Sequence, residues 1–415
     1  MNTTASGCPV IHSLIETADS DPHPYFDALR AQSPVVWDEG FKGWLVLSYD
    51  LCRQIVVAED KFRHPYADAD EAMIEVKGGR KNITIMQGEP HQKMHRYIVQ
   101  LFSPKNIQMY RERHVEPVAH YLIDQFIEGG SADLAADFAD DLPPRAFMSL
   151  FGMDPQDSEY VKHVRALHEV IMWWSGGRLF LGEEATRKAL DVSQQLNDIL
   201  LPYIRARRES PREDMISRVW AEAPAILGEV DETDMLAVCR ELYLGGSDTT
   251  VHALRNAFYL LLTQPEVRAA VSADRDKALN NFIEEVMRNL GSVQYRTRIA
   301  NQDIELGGVQ IKQNDLLVVV NAAANRDPAK YTCPAQIDLN RPTPRDHLAF
   351  NAGPRSCAGV ALARDEMRVA INAVLDRLPD LHLDPELPSP SFTGLFTRSF
   401  QPLHVRFRAG ARTDR

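Results

Sequence analysis

The stretch Phe350-Asn351-Ala352-Gly353-Pro354-Arg355-Ser356-Cys357-Ala358-Gly359 sets the tightest demand on what this chain can fold into. One cysteine stands just ahead of a segment with helical periodicity, where the helix dipole and the free backbone N–H groups favour thiolate over thiol. Glycines on both sides allow a tight loop, so backbone donors can turn inward onto a single sulfur. Arg355 offers a guanidinium to a carboxylate, and Phe350 can shield the site. An anionic, shielded, singly presented sulfur suits one axial bond to a haem iron. A cysteine near a helix start is, taken alone, more often a core thiol; the whole F-x-x-G-x-R-x-C-x-G spacing weighs against that reading.

Composition narrows the class further. The 415 residues are enough to bury a large core. The five cysteines (Cys8, Cys52, Cys239, Cys333 and Cys357) are scattered and contain no CxxC pair. That usage argues against a disulfide framework and a Cys-rich zinc site, and fits a reducing cytoplasm. The first thirty residues lack the basic-then-apolar order of a signal peptide. The best apolar run, within Asp315 to Ala324, is far shorter than a membrane span. A formal charge of −12 argues against wholesale nucleic-acid binding. These features predict a soluble cytoplasmic protein with no membrane or nucleic-acid partner.

Along the chain the pattern predicts a helix at Pro24–Gln32, then two short strands around Val35-Val36-Trp37 and Gly43–Leu47. Helical periodicity dominates from about His91 to Ala270, with a long helix over Glu232–Leu262. Strands return at Thr297–Ala300, Ile304–Leu306 and Leu316–Val320, with Gly307-Gly308 as a hairpin turn. After Cys357, Ala363, Met367, Ala370, Val374 and Leu378 recur on one helical face. The expected fold class is mainly α with small β-sheets (α+β). No repeat or linker interrupts it, so residues 1–415 read as one domain, with 1–20 loosely ordered. No GxGxxG or GxxxxGK[ST] element supports nucleotide chemistry.

With the cysteine segment, three further motifs make the chain resemble the cytochrome P-450 family, in its bacterial soluble class and nearest in look to the camphor-hydroxylase group. Glu285-Val286-Met287-Arg288 places Glu285 and Arg288 on one helical face. In the family such a pair closes with an arginine of a later loop, here Arg341, as a structural triad. Gly245-Gly246-Ser247-Asp248-Thr249-Thr250 lies inside the long helix, where each glycine costs about 1 kcal/mol. A close, side-chain-free approach of a flat macrocycle and a diatomic ligand explains that cost for both glycines. Thr249, one turn on, and Asp248 form an acid–alcohol pair for proton delivery. Arg298 follows the Glu285 helix, where the family pairs an arginine with a haem propionate.

The resemblance implies a single-domain cytochrome P-450 fold, with haem b between the long central helix and the cysteine-ligand loop. It implies Cys357 as metal ligand, and Arg298, Arg355, Phe350 and Gly245 as cofactor-binding residues. Asn351 departs from the glycine usual after the phenylalanine. Glu89–Arg96 resembles the family's helix over the haem edge: His91 matches, His95 holds the usual arginine position, and Arg96 is one residue further on. Arg296 can compensate. The implied activity is monooxygenation, inserting one atom of O2 into an unactivated C–H bond of a terpenoid or small aromatic. Glu241, Leu244, Ile83, Thr84, Val293, Gln294, Leu395 and Phe396 are the expected substrate wall. Helical spacing puts Glu241 on the face of Gly245 and Thr249, which suggests a hydroxyl or amine on the substrate. Electrons would come from a ferredoxin and its NAD(P)H-dependent reductase, docking on Lys93, Arg96, Lys105, Arg111, Arg113, Arg345, Arg364 and Arg368. Two alternatives are a non-catalytic haem-thiolate gas or ligand sensor and a peroxide-driven hydroxylase; the intact Asp248–Thr249 pair argues against both.

Overall fold

Helical periodicity and short β-branched runs both persist in the computed structural model, which describes residues 11–178 and 180–413; Cys8 lies outside them. The chain groups into two compact units and crosses from one to the other five times. One consists of Met1–Pro65, Glu284–Ser356 and Ser391–Gln401, the other of Tyr66–Ile283, Cys357–Pro390 and Pro402–Arg415.

The first unit is built on a five-stranded sheet in the order Val35–Asp38, Gly43–Val46, Leu316–Val319, Arg296–Ala300, Phe62–Arg63. Only the Gly43–Val46 and Leu316–Val319 pair is parallel, with Trp44 opposite Leu317. Leu317, Val318 and Val319 are buried in succession, as a central strand covered on both faces must be. Val46, Ile55, Phe62 and Leu348 join the core around it. Gly307 and Gly308, both at positive φ, turn the Ile304–Leu306/Val309–Ile311 hairpin.

Residues 13–20, within the stretch 1–20 expected to be loosely ordered, make fixed contacts. Leu14–Thr17 is a 3₁₀ turn whose Leu14 and Thr17 are buried. The Asp38 carboxylate accepts from Ser13 Oγ and from the Leu14 N–H, both at 2.8 Å. Arg398 Nη2 donates to the Thr17 carbonyl at 2.6 Å. A buried apolar residue and a buried carboxylate cap therefore hold this segment, neither of which shows in its composition.

The second unit is helical around the central helix Glu232–Thr263, opened by a capping box of Asp231 and Asp234. Its residues are buried on every side over most of its length, as in a core helix. Helices Leu142–Leu150, Glu183–Glu209 and Val360–Arg377 pack against it. Of the foreseen stripe, Met367, Ala370, Val374 and, just past the end of Val360–Arg377, Leu378 are buried and Ala363 is half-buried; Asp365 and Glu366, which periodicity does not flag, are buried too. A three-stranded sheet orders Ser131–Asp133, His404–Arg406 and His382–Leu383. Among the described residues no helix is long and apolar enough to cross a membrane.

Candidate active site

In the first unit the segment ahead of the cysteine is shaped by two left-handed residues. Asn351 has φ +62°, the conformation for which glycine is the usual choice. It is held there by its own amide, which donates to the Arg355 carbonyl at 2.8 Å. The departure from the family pattern is thus a residue that tolerates the same backbone. Gly353, at φ +69°, passes so close to the Tyr49–Val57 helix that a Cβ would sit 2.9 Å from Val57 Cα. Phe350 is half-buried, its ring 5.9 Å from that of His347. In the second unit Cys357 is exposed and precedes the helix Val360–Arg377, whose N-cap is Gly359.

Three arginines gather in the first unit. Arg296 Nη2 donates to the Ala349 carbonyl at 2.8 Å, tying the strand Arg296–Ala300 to the turn ahead of the loop. Arg355 pairs with Glu59. Arg298 is 1% exposed; its Nη1 donates to the Thr297 carbonyl at 2.8 Å, while its Nε and Nη2 have no protein partner. Burial, then the charges of Arg296 and Arg355, pull its guanidinium down to about 10. A buried guanidinium with two unmatched N–H groups beside two like charges calls for an anion.

The same unit contains the Glu285 triad. Glu285 accepts from Arg288 Nε at 2.7 Å, Arg341 Nε at 2.8 Å and the Asp338 N–H at 2.9 Å. Arg288 also donates to the carbonyls of Asn325, Pro334 and Gln336, and both guanidiniums lie over the Tyr331 ring. Glu285, Arg288 and Arg341 are all buried and spend the hydrogen bonds named here on one another and on backbone groups.

On the central helix, in the second unit, the two glycines have different causes. A Cβ on Gly246 would lie 2.0 Å from Phe147 Cζ, so this glycine exists for helix packing and not for ligand approach. Gly245 meets only Glu241 Oε1, at 3.7 Å, and is exposed. Thr249 lies one turn further along, its Oγ1 3.4 Å from the Gly245 carbonyl. Asp248 is half-buried, with its Oδ2 shut off from solvent and without a hydrogen-bond partner. Burial first, then the charge of Glu169, with Asp140 adding and Arg255 and Arg165 opposing, pushes its carboxyl up to about 7. The surrounding ion pairs run outward: Arg255 to Asp140 at 2.7 Å, Arg165 to Asp140 at 3.4 Å, and Arg165 to the exposed Glu169 at 3.6 Å. No motif marked Asp140, Arg165 or Glu169. His91 is buried with the His95 ring 6.0 Å away, whereas Arg96 is exposed on another side of the helix Gly88–Leu101.

Comparison with known proteins decides the family. The family model described as cytochrome P-450 matches residues 6–398. The chain belongs to the cytochrome P-450 family. It is 29% identical over its whole length, and 98% of the relative's, to the cytochrome P-450 monooxygenase PikC of Streptomyces venezuelae. It is 31% identical to the mycinamicin IV hydroxylase/epoxidase of Micromonospora griseorubida, over 83% of this chain and 84% of that one. Among solved structures, HmtT, involved in himastatin biosynthesis, superposes with a TM-score of 0.81 at 28% identity, covering 95% of this chain and 99% of its own. P450BioI, in complex with a fatty-acyl acyl carrier protein, has the same fold, with a TM-score of 0.83 at 24% identity over 94% and 100% of the two chains.

Cytochromes P-450 are monooxygenases that use haem b with a proximal cysteine thiolate. The residues here fit that group. The unmatched Nε and Nη2 of Arg298 are the donors a buried carboxylate such as a haem propionate would satisfy, and Gly245 leaves its helix face open.

The substrate wall predicted for this P-450 divides between the two units. In the second, Ile83 and Thr84 are half-buried and Leu244 is buried. Glu241 Oε2 accepts from Asn82 Nδ2 at 2.9 Å, and Asn82 Oδ1 accepts from Thr84 Oγ1 at 2.6 Å. Asn82 is the residue the sequence reading missed; an isolated polar residue in a loop carries no periodic signal. In the first unit, the Gln294 N–H donates to the Phe396 carbonyl at 2.9 Å, Val293 bridges to Thr397, and Leu395 is half-buried. The Gln294 side chain is buried, donates to the Gly291 carbonyl at 2.7 Å and leaves Oε1 unmatched.

The basic set is largely neutralised. Lys93 pairs with Glu89 at 2.8 Å, Arg113 with Glu213 at 2.5 Å, Arg111 with Asp365 at 3.7 Å and Arg345 with Glu284 at 3.4 Å. Arg368 also pairs with Asp365, while Arg96 and Lys105 are exposed.

Proposed function

We propose that this P-450 hydroxylates an unactivated C–H bond of a small organic molecule, of terpenoid or small aromatic skeleton, with Cys357 as the proximal ligand. Residues 1–415 act as one catalytic domain, a reading supported by the five crossings of the chain between its units. Haem bound through a cysteine thiolate supplies activation of O2 and insertion of one oxygen atom, the other leaving as water. Arg298 and Arg355, with His91 and His95, would hold its propionates and edge. Val293, Gln294, Leu395, Phe396, Ile83, Thr84, Glu241 and Leu244 would orient the substrate and exclude water. Electrons come from a ferredoxin and an NAD(P)H-dependent reductase in the cytoplasm, since the chain carries no nucleotide-binding motif of its own.

The observation that carries this reading is Asp248. Its half-buried carboxyl has an inaccessible, partnerless oxygen, is pushed up to about 7 by burial, and stands one residue from a hydroxyl on the open helix face, as a proton-delivering acid should. Asp248 takes up a proton through the Glu169–Arg165–Asp140 side and Thr249 Oγ1 passes it to the open face. In Thr249→Ala, substrate and haem binding should persist while most of the NAD(P)H consumed goes to peroxide. Product per NAD(P)H equal to wild type would remove Thr249 from the relay. In Asp248→Asn, turnover should fall about 10²-fold or more and lose its dependence on pH near 7. The stability sign is opposite. A carboxyl whose folded value is raised loses stability as pH climbs from its ordinary value to the raised one, so Asp248→Asn should be the more stable protein at pH 8, by roughly 2–4 kcal/mol.

A further inference from the structure

The Glu241 carboxylate is held at one oxygen and open at the other. Asn82, which is 1% exposed, has every hydrogen-bonding position filled. Its Nδ2 donates to the Lys77 carbonyl and to Glu241 Oε2, each at 2.9 Å. Its Oδ1 accepts from the Thr84 N–H at 2.9 Å and from Thr84 Oγ1 at 2.6 Å. A saturated buried amide is a fixed point, so Glu241 Oε2 has one place to be. The other oxygen, Oε1, then lies over the side-chain-free surface of Gly245.

The cations of this region are committed elsewhere. Lys77 is buried with its Nζ over the Tyr66 ring, Arg80 pairs with Glu71 at 2.5 Å, and Lys81 pairs with Asp234 at 2.7 Å. Arg240, the sequence neighbour of Glu241, is buried and donates to Ser193 Oγ, Asn197 Oδ1 and the Val76 carbonyl. Among the described residues no lysine or arginine forms an ion pair with Glu241: the charge of Arg240 attracts it, but that guanidinium is spent on other acceptors, and the one hydrogen-bond partner of Glu241 is a neutral amide. A half-buried carboxylate gains most from a ligand that brings the missing positive charge.

We propose that Glu241 is the anchor for a substrate bearing a protonated amine, and that Asn82 is the positioning residue that aims it. This rests on the reading above that the Gly245–Thr249 face borders the substrate. The helix from Glu241 to Thr249 spans about 12 Å, so the anchored amine lies several bonds from the carbon to be oxidised.

The test is a titration of the haem-loaded enzyme, by spin-state absorbance and by calorimetry, with two matched pairs. One is N,N-dimethyl-4-phenylbutylamine and (5-methylhexyl)benzene; the other is N,N-dimethyl-1-adamantanamine and 1-isopropyladamantane. Each pair shares a shape and differs by the charged nitrogen. In at least one pair the amine should bind wild type ten-fold or more tighter than its isostere. Glu241→Gln, which keeps an acceptor for Asn82, should erase that preference and change the isostere less than two-fold. Asn82→Ala should reduce the preference while leaving the isostere in place. Equal binding of amine and isostere by wild type, or a preference that survives Glu241→Gln, overturns the proposal and leaves the chamber reading intact. Failure of both amines and both isosteres to bind overturns the proposal and that reading together.

Discussion

Cys357→Ala is expected to abolish turnover and the thiolate-type absorption of the reduced, CO-bound protein while leaving the chain folded. Cys357 lies in the loop ahead of the helix Val360–Arg377 and not within it, so its side chain is not part of that helix's packed face. The segment before it is held by other groups: the Asn351 amide on the Arg355 carbonyl, and Gly353 against Val57. Circular dichroism should therefore match wild type, and the loss is chemical. The other cysteines provide the contrast. Cys239 is fully buried, and burial followed by the charge of Asp214 pushes its thiol up to about 12; burial likewise drives Cys52 far above its ordinary value. Neither presents a thiolate at neutral pH. Cys52→Ala and Cys239→Ala should keep the thiolate-type spectrum. Its survival in Cys357→Ala would defeat the ligand assignment.

What the sequence disclosed depended on how far apart the interacting residues are. The Cys357 segment and the Glu285–Arg288 pair are local, so spacing exposes both the loop and the shared helix face. Strands such as Leu316–Val319 carry their burial in an unbroken β-branched run. The two glycines of the central helix look alike in sequence, yet Gly246 answers to Phe147, about a hundred positions away, and Gly245 to an open face. Asn82 gains its meaning only when folding brings Glu241 to it. The ion pairs around Asp248 join residues from two helices and the turn at Asp140, none of which these motifs mark. The start of the chain looked loose because Asp38, which caps it, belongs to a strand. Long-range polar pairing has no period, and periodicity was the strongest signal available.

Glu285→Ala should lose about 3–5 kcal/mol of folding stability, a large share of the roughly 5–15 kcal/mol available to a folded domain. Arg288 and Arg341 are almost fully buried, and Glu285 is the carboxylate that answers both. Removing it leaves two buried positive charges close together and the Asp338 N–H without its acceptor. Burial by itself would raise the Glu285 carboxyl, but the hydrogen bonds and charge of Arg288, the Asp338 N–H and Arg341 outweigh it and hold the group below its ordinary value. A carboxyl lowered in the folded state contributes in full above its unfolded value and loses that contribution as pH falls through the folded one. Wild type should therefore lose more stability on acidification than Glu285→Ala, which retains the losses of other lowered carboxyls such as Asp124 and Asp346 but lacks that of Glu285. Urea unfolding of the haem-loaded protein at pH 7 and pH 4 measures both effects. Arg288→Ala should cost nearly as much alone, and adding it to Glu285→Ala should cost far less than the sum, because the second change removes a charge the first has stranded. Additive losses, or a Glu285→Ala protein within about 1 kcal/mol of wild type, would mean that this network does not hold the unit together.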